Sequence, residues 1–578
     1  MAYFLKKTKN KKGIYLQIYE SFYDPSRGHT AHKSYKAIGY LKDLNKNGIE
    51  DPVEYYKSEV DELNRKKKLK KEKEKIKTIG EFTPERSRGQ FLIDALNKSL
   101  GIQKDMSYMD IIYEGNSNIY KTVTSLVNAR IIAPVSKRKT YFDVLPKLGF
   151  RTTEYSLDQL YKTLEFIGEE YEKFIEIYNF NINKFFKRNT SKTYYDGTNF
   201  YFEIDSEDDF RKNGPSKENR RCPIIGMGLL LDADTIPIGM KLYPGNESEK
   251  PFINKAIDEL KKKYNTKGKI VRVADKGLNC SDNVSKAILA GDGYIFSKSV
   301  KQLPKKEQIW ALDNNDWTYV NDKSGKELYR YKSCIDEFEY KVKSNNGKQK
   351  KVLLEEKRVV TFNPKLAKKQ ICEINRQVEK ARNLRLSQAK KNEYGDSAKY
   401  VTFSSITKNG EITDNVIATT LNHDAINKAK ALAGYNMIVT SEIKMSEKEI
   451  YTTYHNLWRI EESFKIMKSQ LDARPVYLQK ESTITGHFLI CYVAVLLLRI
   501  LQFKIFDNEF CCEEIINYIR GFRTVEMLNN NHINLSKKST LGKTIEEKFY
   551  LPVNNYYLTK KQISDIKKFK FRLRKTEI

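Results

Sequence analysis

Thr193-Tyr-Tyr-Asp-Gly-Thr-Asn-Phe-Tyr-Phe-Glu203 reads as a β-strand of aromatic and β-branched residues with one aspartate, Asp196, set into it. Two apolar runs follow, Ile224 to Leu231 and Ile236 to Tyr243, joined by a turn at Asp232–Asp234. Ser248 then caps an expected helix whose Phe252, Ile253, Ala256, Ile257 and Leu260 share a face. Lys269-Ile-Val-Arg-Val-Ala-Asp275 is a buried strand that ends on a carboxylate. A helix over 281–290 and a strand from Tyr294 to Ser297 complete the run.

Three antiparallel strands feeding an alternation of helix and strand predict an α/β fold, with a ribonuclease H-like catalytic core over 190–297 and 435–505. Residues 298–434 break the alternation. They are charged, contain Trp310 and Trp317, and read as a β-rich insertion domain with a basic helix near 366–391. The core resumes at Tyr435-Asn-Met-Ile-Val-Thr and continues into a long helix, Ser446 to Leu471. Upstream, residues 1–64 alternate apolar and polar as a small β-rich module, and 65–80 form a charged linker or solvated helix. Residues 81–189 are helical and a candidate DNA-binding region. Ser156 and Gln159 form a capping box there, before Leu157, Leu160, Tyr161, Leu164 and Ile167 recur at helical spacing. The C-terminal region, 506–578, carries little signal.

The chain has 578 residues, enough for three or four domains, and its 40% hydrophobic content is enough for real cores. Lys and Arg number 104 against 74 Asp and Glu, a net charge of +30. That excess suits a polyanionic partner, because neutralising phosphates releases counterions. AT-rich coding also inflates lysine, so charge alone does not fix the partner. The seven cysteines show no Cys-x-x-Cys pair and no Cys/His spacing for zinc, which suits buried thiols in a reducing compartment. The start is not a secretory signal. The longest apolar stretch, Phe488 to Leu498, is shorter than the roughly 20 residues a bilayer requires and reads as a buried helix. A soluble, cytoplasmic protein with no membrane partner is expected.

Three carboxylates stand out. Asp196 opposes the β propensity of its strand, although Asp-Gly also marks hairpin turns. Asp275 ends an apolar strand, the usual edge for active-site groups in α/β sheets, although a helix-capping aspartate looks the same. The third is on Tyr454-His-Asn-Leu-Trp-Arg-Ile-Glu-Glu-Ser-Phe-Lys-Ile-Met-Lys468. Leu457, Ile460, Phe464, Met467 and Leu471 form the buried stripe of that helix. Glu461 borders the stripe, and Lys468 lies two turns on along the same side. An ordinary amphipathic Glu–Lys helix has the same pattern. Glu462 competes with Glu461, which the Tyr454 spacing favours. Asp232, Asp234 and Asp414 read as turn residues.

Taken in order along the chain, these residues resemble the DDE transposases of bacterial insertion sequences. The branch in question is marked by tyrosine, two residues, arginine, three residues, glutamate, six residues and lysine. Tyr454, Glu461 and Lys468 fit that spacing, whereas Leu457 stands at the arginine position; Arg459 or Arg474 is then the candidate for the missing phosphate contact. Asp196 in Tyr-Tyr-Asp-Gly-Thr and Asp275 in Ala-Asp-Lys-Gly-Leu match the two aspartates. Ser216-Lys217, Pro244-Gly-Asn-Glu-Ser-Glu and Ala473-Arg-Pro-Val-Tyr add to the likeness. The long gap between Asp275 and Glu461 is what a β-rich insertion before the catalytic helix implies in this branch.

The resemblance implies Mg²⁺, or Mn²⁺ in its place, held by Asp196, Asp275 and Glu461. It implies cleavage at transposon ends, joining of the freed 3′-hydroxyl to target DNA, and a homodimer assembled on DNA. It associates Tyr454 and Lys468 with phosphates near the terminal nucleotides and allows Trp310 or Trp317 to stack on a flipped base, against a simpler packing role. The rival expectations are a ribonuclease H-fold nuclease that does not join strands, and a non-catalytic DNA-binding protein derived from a transposase.

Overall fold

The computed structural model describes residues 2–575 apart from 25–28, 78–83, 114–117, 151–154, 215–221, 248–253, 255–256, 259–260, 262–268, 276–278, 344–348, 387–390, 407–411, 475 and 528–530. The expected cap at Ser248 with Phe252, Ile253, Ala256 and Leu260, and the motif residues Ser216, Lys217, Lys276 and Gly277, lie outside the described residues, as does the side chain of Asp414. The chain forms two compact units, residues 1–86 with 525–533, and 87–524 with 534–578.

The first unit opens with an antiparallel sheet of β1 (Tyr3–Asn10), β2 (Gly13–Asp24) and β3 (His29–Tyr40), in that order. A short helix, α1 (Leu41–Lys46), leads to α2 (Pro52–Lys77). Leu16 and Ile18 of β2 and Val60 of α2 are buried. Lys36–Glu59 and a close Lys67–Glu20 pair tie the same sheet face to α2. The charged run from residue 65, expected as a linker or a solvated helix, is the second half of α2, and the helix passes the expected boundary at 64 unbroken. Lys and Glu are good helix formers, no Gly or Pro interrupts 53–77, and Glu62–Lys66 is an i,i+4 pair.

The second unit is mixed α/β. Its strands include β4 (Lys192–Tyr201), β5 (Ile224–Leu231), β6 (Pro237–Pro244), β7 (Val271–Ala274), β8 (Gly293–Lys298), β9 (Thr318–Asn321), β10 (Glu327–Lys343), β11 (Gln349–Phe362), β12 (Val401–Ile406), β13 (Ile412–Leu421) and β14 (Tyr435–Thr440). Nine of them form one sheet in the order β9-β10-β11-β14-β8-β7-β4-β5-β6. Pairing is parallel at β4–β7 and β7–β8, and antiparallel at every other step. Alternation along the central strands feeds two cores. Tyr194, Val273, Ile295 and Ile438 enter one; Tyr195, Ala274, Phe296 and Val439 enter the other.

The segment 298–434 does not make a sheet of its own from all its strands. β11 pairs with β14, so β9 to β11 extend the central sheet; among the described residues β12 and β13 alone pair separately, and the segment also holds helices α8 (Pro364–Leu386) and α9 (His423–Ala431). Val359 and Val360 explain this. Consecutive apolar residues fill both faces of β11, and both are fully buried opposite Ile438 and Met437.

Helices α3 (Phe91–Leu100), α5 (Ile119–Ile132), α6 (Leu157–Glu169) and α7 (Tyr171–Asn183) pack around α12 (Glu481–Ile500), and α4 (Ile102–Ile112) packs on α3, α5 and α7. The Ser156–Gln159 capping box starts α6 as expected. Residues Glu481–Ile505 are long and apolar enough to cross a bilayer, yet that window is entirely buried within the fold, as for a core helix. Close approach of α6 and α12 depends on glycine. A Cβ on Gly168 would lie 1.7 Å from the Ser482 carbonyl oxygen, and one on Gly486 would lie 2.2 Å from that of Leu164. The C-terminal region joins the same core through Phe506, Phe510 and Phe571.

Candidate active site

Parallel register brings the two aspartates together. Tyr194 of β4 pairs with Val273 of β7, and Asp196 and Asp275 each stand two residues further on. Both therefore lie just beyond the paired stretch of these adjacent parallel strands, on the same face of the sheet, with Asp196 in the middle of β4 and Asp275 directly after β7. Asp196 is half-buried and accepts the Gly197 backbone N–H at 2.8 Å; Asp275 is exposed.

The segment beyond β14 lies along this face. It is expected as one long helix but is divided into α10 (Glu447–His455) and α11 (Trp458–Lys465), with a wider turn over Ile466–Gln470. At the division Leu457, Arg459 and Ile460 donate to carbonyls three residues back, a local tightening of the helix. Three contacts fix its course over β4. Lys192 reaches Glu449 at 3.1 Å, Asn456 approaches the Tyr194 hydroxyl at 3.5 Å, and the Lys468 ammonium donates to Thr198 Oγ1 at 2.9 Å. Lys192, Tyr194, Asp196 and Thr198 share one face by alternation. Asp196 thus lies on β4 between the points touched by Asn456 and Lys468, and Glu461 lies between the same two residues on the helix.

Tyr454 completes the link to the second aspartate. Its hydroxyl donates to Asp275 Oδ1 at 2.9 Å, and Ser297 of β8 donates to the same oxygen at 2.8 Å. Burial, with the neighbouring carboxylate, pushes the Tyr454 phenol up, so it stays protonated and a donor. A cavity of about 440 Å³ adjoins Asp275 and Tyr454, lined also by Tyr435, Asn436, Tyr451 and His455. His455 stacks on Tyr451 at 3.8 Å, and burial lowers its pKa, which keeps the ring neutral.

The adjacent glutamates differ. Glu461 is exposed and makes no ion pair with any described residue. Glu462 is held by fully buried Arg499 at 2.9 Å and by Arg459 at 3.4 Å. Arg459 also lies over the Trp458 ring at 3.9 Å. Arg474 packs on Tyr201, at the end of β4 beyond Asp196. Trp310 and Trp317 pack against the second core, with Lys332 over both rings. Asp232 is a buried turn residue that accepts from Asp234 and Ile236 N–H and pairs with Arg188 at 2.9 Å.

Among the described residues no three His, Cys, Asp or Glu side chains converge to hold a metal ion. Asp196, Asp275 and Glu461 offer the carboxylate oxygens that a hard divalent cation takes, and they lie on facing elements without converging into such a group as the chain stands. Sequence reasoning missed Thr198, Ser297 and Arg499. Thr198 carried a signal, two residues after Asp196 and hence on its face; Ser297 and Arg499 carried none.

A family model described as the transposase DDE domain matches residues 188–497, more than half of the chain. No curated protein matches it. Among solved structures it is similar to the piggyBac transposase of a synaptic complex with hairpin DNA, at 8% identity and a TM-score of 0.34, over 84% of this chain and 86% of that one.

Proposed function

We propose, from the premise that this chain belongs to the transposase DDE domain family, that it cleaves transposon ends and joins the 3′-hydroxyl to target DNA. In this reading the β4–β8 region and the helix after β14 are a ribonuclease H-like core, and residues 298–434 are an insertion grown onto its sheet. Asp196, Asp275 and Glu461 would hold Mg²⁺ or Mn²⁺. Bound there, divalent cations activate the attacking oxygen and stabilise the leaving one.

The observation that carries the proposal is the position of Asp196 and Asp275 two residues beyond the paired Tyr194 and Val273 of parallel strands, facing a helical segment anchored by Tyr454 and Lys468 on either side of Glu461. Tyr454 and Ser297 orient the Asp275 carboxylate. Lys468 supplies a point charge beside Asp196, suited to a phosphate oxygen and unable to ligate a metal. Arg474 or Arg459 supplies a second phosphate contact; the ion pair with Glu462 makes Arg459 the less available of the two. The partner is DNA, engaged by a homodimer that assembles on it, in the cytoplasm.

Strand transfer tests the proposal. A pre-cut duplex carrying a free 3′-hydroxyl at the element's end, incubated with full-length protein, Mg²⁺ and a target plasmid, is expected to give covalently joined product. Nicking without joining would leave a ribonuclease H-fold nuclease. Binding with neither reaction would leave a non-catalytic DNA-binding protein.

A further inference from the structure

Residues 1–40 carry eight Lys or Arg and two acidic residues, and the strands they form are rich in Tyr. Side chains on β1 to β3 alternate between two faces, and α2 covers one of them. Leu16, Ile18 and Glu20 face α2, where Glu20 is paired with Lys33 and Lys67. The opposite face carries Phe4 and Lys6 of β1, Tyr15, Gln17 and Tyr19 of β2, and Tyr40 of β3. It is partly open to solvent at its rings and exposed at Lys6. Among the described residues this face bears no carboxylate.

The face is ordered before any partner arrives. Phe4 stacks on Tyr19 at 5.8 Å, Tyr15 meets Tyr40 edge-on at 5.0 Å, and Lys6 lies over the Tyr19 ring at 4.8 Å. The Gln17 amide donates to Ser34 Oγ at 2.6 Å, and the Asn10 amide donates to the Tyr40 hydroxyl at 3.2 Å. Lys11 and Lys12 extend the positive charge into the exposed turn between β1 and β2. An apolar protein partner would not match a face edged with lysines and preset amides, whereas a polyanion bearing hydrogen-bonding edges would.

We propose that this sheet face docks duplex DNA by entering the major groove, an inference that rests on the transposase reading above. Three strands span about 10 Å between the outer two, and the groove is about 12 Å wide. Gln17 and Asn10 then meet base edges, where amides pair with adenine, while Lys6, Lys11 and Lys12 meet phosphates.

The test uses full-length protein, a fluorescein-labelled duplex of mixed sequence, and the corresponding single strand. Lysine acetylation followed by mass spectrometry, with and without duplex, is expected to show protection of Lys6, Lys11 and Lys12 but not of Lys57 on α2. Lys6→Ala with Gln17→Ala is expected to weaken duplex binding roughly tenfold. Mg²⁺-dependent plasmid nicking by wild type is measured alongside. If wild type binds and nicks while these lysines stay reactive and the double variant binds normally, the docking face is wrong and the transposase reading stands. Protection by single strand in preference to duplex overturns the groove assignment. If wild type neither binds nor nicks, the transposase reading fails and this inference fails with it.

Discussion

Arg499, fully buried on α12, holds Glu462 at 2.9 Å, while its neighbour Glu461 is exposed and makes no ion pair with any described residue. Two adjacent glutamates that look alike in sequence therefore face different tasks. Removing Glu462 leaves a guanidinium that keeps Gln502 and Ser463 but loses its counter-charge.

Glu462→Ala is accordingly expected to lower stability by on the order of 1–3 kcal/mol, a lower Tm with Mg²⁺-dependent cleavage retained in the folded fraction. Glu461→Ala is expected to keep its Tm and lose cleavage. The reverse pattern would mean that the helix phase assigned here is wrong.

Lys468→Ala is expected to reduce end cleavage roughly 10²-fold while Mn²⁺ affinity, measured by calorimetry, stays near that of wild type, because a lysine positions phosphate and does not ligate metal. Tyr454→Phe removes one hydrogen bond to Asp275 and is expected to cost about 0.5–1.5 kcal/mol in the cleavage barrier. Normal cutting by Lys468→Ala would reduce Lys468 to a tether on Thr198. Arg474→Ala should share the Lys468 defect if Arg474 stands in for the family arginine replaced by Leu457.

The two aspartates are legible in the sequence because a lone aspartate in an aromatic strand and another closing an apolar one are exceptions to their surroundings. Register is what binds them into a site, and register between β4 and β7 is a non-local property that no window of sequence contains. The same limit hid the extension of the central sheet. β11 reads as part of a separate charged segment until its pairing with β14, some 75 residues away, is seen. The division at Asn456–Leu457 was invisible for a different reason, since the apolar stripe continues in phase across it. The 65–80 run leaves linker and solvated helix open because charge marks exposure, and an exposed helix with little apolar surface looks like a tether.

Gly486→Ala should test the packing of α12 on α6 apart from chemistry. Its Cβ would meet a backbone carbonyl with no flexible atom to give way, so a loss of roughly 1–3 kcal/mol or more is expected by denaturant unfolding. An unchanged midpoint would show that the two helices have room to separate.

Binding to DNA should weaken steeply with salt. Each phosphate contacted contributes about −0.9 to the slope of log K against log salt, so several lysine contacts predict a slope steeper than about −4. A slope near zero would show that the net charge of +30 is unrelated to the ligand.

The most direct test of the central claim is Mg²⁺-dependent cleavage of a duplex bearing the element's end by wild type and by Asp196→Ala, Asp275→Ala and Glu461→Ala, with binding measured on the same substrate. The account predicts that wild type cuts, that each variant falls to background, and that all three still bind, because removing a carboxylate leaves the phosphate-binding lysines in place. Cleavage that persists in any one of the three variants would contradict it.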